Sequence, residues 1–134
     1  MNFNIMIYPI YIKLTNRCNL KCMHCYNANA IQQCKDMSDD TFSDLIRYLN
    51  NRYLQLTTGD RILVIFHGGE PFIADLNKMQ ILIDQFSSCE NISFTATTNL
   101  TYDFDDVKIC IMKKMKQIST SYDYKIRFTT LSQQ

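Results

Sequence analysis

Glycine and proline are scarce: the 134 residues contain three of the first and two of the second. That scarcity excludes collagen-like, linker-like and low-complexity chains. An excess of charge is also missing. Fourteen Lys and Arg stand against thirteen Asp and Glu, for a formal net charge of +1. The electrostatic case for nucleic acid as the main partner falls with it. No uninterrupted apolar run approaches the roughly 18 residues a membrane helix needs, so no membrane partner is expected. An export signal is absent too. Met1 to Leu14 is fairly apolar, but it has no basic leader, Asn2 and Asn4 interrupt it, and Pro9 breaks it. The expected location is the cytoplasm, where thiols stay reduced. What is present, 46% hydrophobic and 20% charged residues, is the composition of one globular domain over 1–134.

The hydrophobic pattern alternates between two periods. Ile10 to Leu14 is short and β-rich, and predicts a strand. The cysteine segment follows it as a loop. Ser38 then looks like an N-cap, with Asp39, Asp40 and Asp44 suited to the positive end of a helix. Phe42, Leu45, Ile46, Leu49 and Tyr53 recur at helical spacing until Gly59. Ile62 to Phe66 is a continuous apolar run, the pattern of a strand buried on both faces. His67 to Pro71 forms a loop at its carboxyl end. Leu76, Met79, Ile83 and Phe86 mark a second helix, and Ile92 to Thr97 a third strand. Phe104, Val107, Ile111 and Met115 mark a third helix, with Asp103, Asp105 and Asp106 near its start and Lys113, Lys114 and Lys116 near its end. Ile118 to Ser121 reads as a short fourth strand, and Lys125 to Thr129 as helix or strand.

The order βαβαβαβ implies a parallel sheet with right-handed crossovers. A closed eight-fold barrel uses about 31 residues per unit, so this length allows about four units. The expected fold class is therefore α/β, a partial (β/α) barrel of about four parallel strands. Chemistry in such sheets collects at the carboxyl ends of the strands. The cysteine segment, Gly68-Gly69-Glu70, Thr98-Asn99 and Ser121-Tyr122-Asp123 all fall there, so they should share one rim.

Three of the six cysteines lie within eight residues, Cys18, Cys22 and Cys25, spaced C-x₃-C-x₂-C. Six cysteines would suit a disulfide framework in a secreted protein, but this clustering suits a metal site better. Three thiolates can hold three corners of a four-iron, four-sulfur cube and leave one iron open. Arg17 and Lys21 flank them and favour the deprotonated form. The competing reading is structural zinc, with Cys34 or His24 as fourth ligand. Zinc motifs usually show two paired knuckles, and here there is one triple. Cys34, Cys89 and Cys110 read as packed or incidental thiols, Cys110 on a helix where burial is expected. His67 is either a satisfied loop histidine or a residue facing the site.

The cysteine segment resembles the signature of the radical S-adenosylmethionine superfamily, C-x₃-C-x-Φ-C, with His24 at Φ. His67-Gly68-Gly69-Glu70-Pro71 looks like that family's Gly-Gly-Glu motif. Thr98-Asn99 is similar to its Thr-Asn-Gly segment, with Leu100 in place of Gly. Ser121-Tyr122-Asp123 is similar to its Ser-x-Asp-Gly segment, with Tyr124 in place of Gly. The resemblance covers residues 10 to 127. It implies a [4Fe–4S] cluster on Cys18, Cys22 and Cys25, whose open iron takes the amino and carboxylate groups of S-adenosylmethionine. Gly68, Gly69 and Glu70 would line the amino side and the backbone near His24 would meet the adenine. Asn99 would belong to the same cofactor site, and Ser121 or Asp123 would stand toward ribose or substrate. It further implies reductive cleavage to a 5′-deoxyadenosyl radical, hydrogen abstraction from a substrate, and a flavodoxin- or ferredoxin-like electron donor. The motif set leans towards the branch of peptide and protein maturases.

The family builds six βα units, so strands five and six are expected to be missing here. Three explanations follow: a fragment, a subunit completed by a second polypeptide or by another copy of the chain, or a remnant. A cluster-binding module without turnover is the alternative function.

Overall fold

The computed structural model describes residues 4–17, 20–22, 35–120 and 128–130. In chain order the elements are β1 (Ile7–Ile12), β2 (Leu20–Cys22), α1 (Asp39–Leu54), β3 (Arg61–Phe66), α2 (Leu76–Gln85), β4 (Ile92–Thr97), α3 (Asp106–Lys113), β5 (Gln117–Ser119) and β6 (Phe128–Thr130). A single 3₁₀ turn, Pro71–Ile73, precedes α2. Four strands form one parallel sheet in the order β1-β3-β4-β5, with Ile10 opposite Val64, Val64 opposite Phe94 and Ala96 opposite Ile118. Parallel neighbours cannot be joined by a tight turn, so each connection carries a helix. The protein is thus α/β, with the sheet and crossover helices of a partial (β/α) barrel.

Local chemistry sets the helix starts. Ser38 Oγ accepts the Thr41 N–H at 3.2 Å, Asp75 accepts that of Asn77 at 3.0 Å, and Asp105 accepts that of Lys108 at 2.9 Å. Each fills a donor that the first helical turn leaves without a partner. The first helix ends at Leu54, short of Gly59, which instead takes a left-handed conformation (φ +89°) in the turn before β3. Asp60 closes that turn. It accepts the Met6 N–H at 3.1 Å and the Thr57 hydroxyl at 2.7 Å, tying the entry of β1 to the start of β3.

The apolar run of β3 is not buried on both faces. Ile62, Val64 and Phe66 are buried while Leu63 and Ile65 are half-buried. Ile62, Val64 and Phe66 join Ile92, Phe94 and Ala96 of β4 in one core with Leu49, Met79, Leu82, Ile83 and Ile111 of the helices. Each such large side chain contributes roughly 1.5–3 kcal/mol on burial. The opposite sheet face carries Leu63, Ile65 and, in register with them, Pro9 and Tyr11, and Tyr11 is exposed.

The first strand begins earlier than the sequence suggests, because it runs through Pro9. That proline is tolerated because β1 is an outer strand. Met6 and Ile12 accept hydrogen bonds from Arg61 and His67. The even-numbered backbone groups of β1 therefore face β3, and the missing N–H of Pro9 points away from the sheet. The small antiparallel pair of β2 and β6, with Leu20 opposite Thr130 and Cys22 opposite Phe128, was not anticipated inside the cysteine segment. It realises the strand alternative for the end of 125–129. Among the described residues no helix is long and apolar enough to cross a membrane.

Candidate functional site

The rim at the carboxyl ends of β1, β3 and β4 brings three sequence-distant loops together. The exit of β1 is fastened to the residues that follow the cysteine segment. Asn16 N–H donates to Lys35 O at 2.8 Å and Met37 N–H to Leu14 O at 2.9 Å, around an antiparallel bridge of Thr15 with Asp36. The residues that flank 18–34 on either side therefore meet at one point of the rim.

The exit of β3 packs directly onto this junction. Gly69 N–H donates to Thr15 O at 3.2 Å and Glu70 N–H to Arg17 O at 2.6 Å. Two glycines are required for that approach. Gly68 has φ +121°, and a Cβ on it would stand 2.8 Å from Thr15 O. A Cβ on Gly69 would overlap the carbonyl of Arg17. Here the Gly-Gly pair holds the backbone that leads into Cys18.

Glu70 is 1% exposed. Its Oε1 accepts the Thr98 hydroxyl and, at 3.3 Å, the Phe72 N–H. Its Oε2 accepts the Asn99 N–H at 2.8 Å. Burial pushes the Glu70 carboxyl above its ordinary range, and these hydrogen bonds partly offset that rise. Thr98 also shares a 2.7 Å hydrogen bond with the Tyr102 hydroxyl, and burial pushes that phenol up. Glu70 is thus the joint between the β3 and β4 exits, with both oxygens engaged inside the protein.

Asn99 lies on the same rim and its Oδ1 accepts the Thr101 N–H at 2.8 Å, an Asx turn. Leu100 adopts a glycine-type backbone (φ +58°). His67 is half-buried and meets Tyr11 edge-on, ring centroids 5.1 Å apart. Burial, with Lys13 nearby, pushes its pKa down and favours the neutral imidazole.

The structure therefore brings Gly68, Gly69, Glu70, Thr98 and Asn99 together beside the entry to the cysteine segment. Cys22 lies on β2. Cys18, Cys25, His24, Ser121 and Asp123 fall outside the described residues, as does Cys34. Cys89 is half-buried, whereas Cys110 is exposed and not packed as expected. The side of α3 turned to the core is that of Ile111, one residue further round the helix. Thr15, Asp36 and Tyr102 were not anticipated at the rim; no spacing in the sequence marks them. A groove of about 560 Å³ lies at the other end of β4, between Phe86 and Met115, away from this rim. Its Lys114 is already paired with Asp84 at 2.9 Å.

Among the described residues no three His, Cys, Asp or Glu side chains gather to hold a metal. The soft donors the sequence offers are the three thiols of Cys18, Cys22 and Cys25. That set suits an iron–sulfur cube with one iron left without a protein ligand.

The fold defines a class: a parallel α/β domain whose sequence carries a C-x₃-C-x₂-C triplet just after its first strand. The chain belongs to the 4Fe-4S single cluster domain family, whose model matches residues 11–127 and so takes in all three cysteines and every rim motif. It is also 35% identical over 96 residues to an uncharacterized protein of Methanocaldococcus jannaschii. That match covers 69% of this chain and 30% of the relative, so the chain spans under a third of the length of the curated relative it matches. No solved structure matches the chain.

Proposed function

We propose that this 4Fe–4S domain is the cluster-binding part of a radical S-adenosylmethionine enzyme. The observation that supports it is the packing of Gly68-Gly69-Glu70 onto Thr15 and Arg17. One motif of the family resemblance is thus in backbone contact with the residues that lead into the other, although roughly fifty positions separate them. Cys18, Cys22 and Cys25 would hold the cluster. The chemistry supplied when cluster and S-adenosylmethionine are bound is one-electron cleavage of the sulfonium, yielding methionine and a 5′-deoxyadenosyl radical.

The chain's own residues prepare the place for that chemistry. Gly68 and Gly69 give the close approach of two backbones. Glu70 locks the β3 exit to the β4 exit, so both loops present one rigid rim to a bound molecule. Asn99 fixes the turn beyond it, and His67, held neutral, stands at the mouth of the sheet. Leu63, Ile65 and Tyr11 give the uncovered sheet face an apolar half, which excludes water once a substrate or further chain covers it. His24, Ser121 and Asp123 would complete the adenosine side. An electron donor of flavodoxin or ferredoxin type is needed, and a second polypeptide or another copy would supply further strands.

The second reading is a cluster-binding subunit or fragment without turnover of its own. The match to under a third of a longer relative favours it. One experiment separates the two: anaerobic reconstitution with iron and sulfide, reduction, addition of S-adenosylmethionine, and assay of iron and 5′-deoxyadenosine. Cluster with release supports the enzyme, and cluster without release supports the subunit. Zinc in place of iron would sink both. Cys22→Ala should abolish cluster binding while the apo-domain keeps its circular dichroism spectrum.

A further inference from the structure

The residue before Cys18 is held on every side. Arg17 N–H donates to Thr15 Oγ1 at 3.0 Å, and Arg17 O accepts the Glu70 N–H at 2.6 Å. Its guanidinium forks: Nε donates to Asp36 Oδ1 at 2.9 Å and Nη2 to Ile73 O at 3.2 Å. Thr15, only 2% exposed, closes the triangle by donating its hydroxyl to the same Asp36 oxygen. One hydroxyl, one carboxylate and one guanidinium thus join the residues before Cys18, those that resume after Cys34 and the turn after the Gly-Gly-Glu loop.

An exposed ion pair between Arg17 and Asp36 would ordinarily contribute little. This one is different in kind, because the guanidinium bonds two elements and the carboxylate also takes a buried hydroxyl. The flat, fixed fork of arginine suits that task, and a lysine ammonium does not. The pairing also changes the part the sequence gives Arg17. Its charge is met by Asp36, so what it offers the neighbouring thiol is mainly position.

We infer that Thr15, Arg17 and Asp36 form a clamp that positions the cysteine segment for its cluster, making them positioning residues and not ligands. The inference rests on the reading that Cys18, Cys22 and Cys25 hold that cluster. Preorganisation of this kind acts on the retention of the group: outer partners of metal ligands typically change affinity by about 10–100-fold.

The test uses the reconstituted 134-residue chain and the variants Thr15→Val, Thr15→Ser, Arg17→Ala and Arg17→Lys. Iron loss to excess chelator is timed under anaerobic conditions, and the electron paramagnetic resonance spectrum of the reduced cluster is recorded. Ile83→Val, at the far end of α2, serves as a control for plain destabilisation. The expected result is iron loss about tenfold faster, with an altered spectrum, in Thr15→Val, Arg17→Ala and Arg17→Lys. Thr15→Ser should restore both, and Ile83→Val should lower the melting temperature without changing either. Wild-type rates in Thr15→Val, Arg17→Ala and Arg17→Lys would overturn the clamp. So would equally fast iron loss in Ile83→Val at the same drop in melting temperature. A wild-type chain that takes up no iron would overturn the ligand reading itself, and the clamp with it.

Discussion

The exits of β3 and β4 are neighbours on one rim, share the Glu70 carboxylate and both contain a left-handed residue, yet they meet that demand differently. The β3 exit uses glycine, and at Gly69 the reason is the carbonyl of Arg17 in another loop, not its own dihedral angle. The β4 exit uses Leu100, which bears the cost of a left-handed backbone without any neighbour forbidding its side chain. A steric ban from a second chain segment admits no substitute. An unfavourable local conformation costs only about 1–2 kcal/mol and can be tolerated.

That contrast can be broken at Gly69. Gly69→Ala should have the largest effect, about 3 kcal/mol by denaturant unfolding, because the new methyl must displace the Arg17 carbonyl. Iron content should fall with it although no ligand is touched. An unchanged unfolding midpoint would mean that the rim backbones are not in contact.

Glu70 gives the next effect. Glu70→Ala strips the acceptor from the Thr98 hydroxyl and the N–H groups of Asn99 and Phe72. Each buried donor so orphaned costs about 1–3 kcal/mol, and partial rehydration leaves an expected net of about 2–3 kcal/mol. Glu70→Gln should cost about half that, since its amide can keep one side of the network.

Leu100→Gly sharpens the comparison from the other side. It should stabilise the domain by about 0.5–1 kcal/mol, the relieved strain less the added freedom of glycine when unfolded. A loss of stability would show that the half-exposed leucine side chain packs usefully.

The smallest effects are in pH dependence, and the two carboxyls act with opposite sign. Burial raises the Glu70 pKa above its ordinary 4.5, so its protonated form suits the fold. Its contribution is full below 4.5 and is lost as pH rises through the folded value. The Thr57 hydroxyl and the Met6 N–H hold Asp60 below its ordinary 3.8. Its contribution is present above 3.8 and lost as pH falls through the folded value. In melting curves taken across pH, Glu70→Gln should flatten the first limb and Asp60→Asn the second.

Much of the fold was legible because it is written in local signals. Ile92 to Thr97 matches β4 at both ends, Ser38 caps the first helix as its position suggests, and Asp105, one of the acidic residues expected near the start of the third, caps that one. The apolar run in β3 misled because a run shows what could be buried on two faces, not whether both are covered. The pair of β2 with β6 joins three-residue strands over a hundred positions apart, too short for any periodicity. At the site, the thiols and the Gly-Gly-Glu loop declare themselves by spacing. Thr15 and Asp36 do not: they are ordinary polar residues 21 positions apart, and only the folded chain brings them together.

Pro9 carries a further consequence. Its missing amide faces outward at the middle of β1, so the β1 margin of the sheet is a poor template for another strand. No proline stands in β5 at the other margin. The domain is therefore polar in the sense of a growing lattice: one flank is blunted, and a strand added from any source is steered to the other, beside Gln117 to Ser119 of β5.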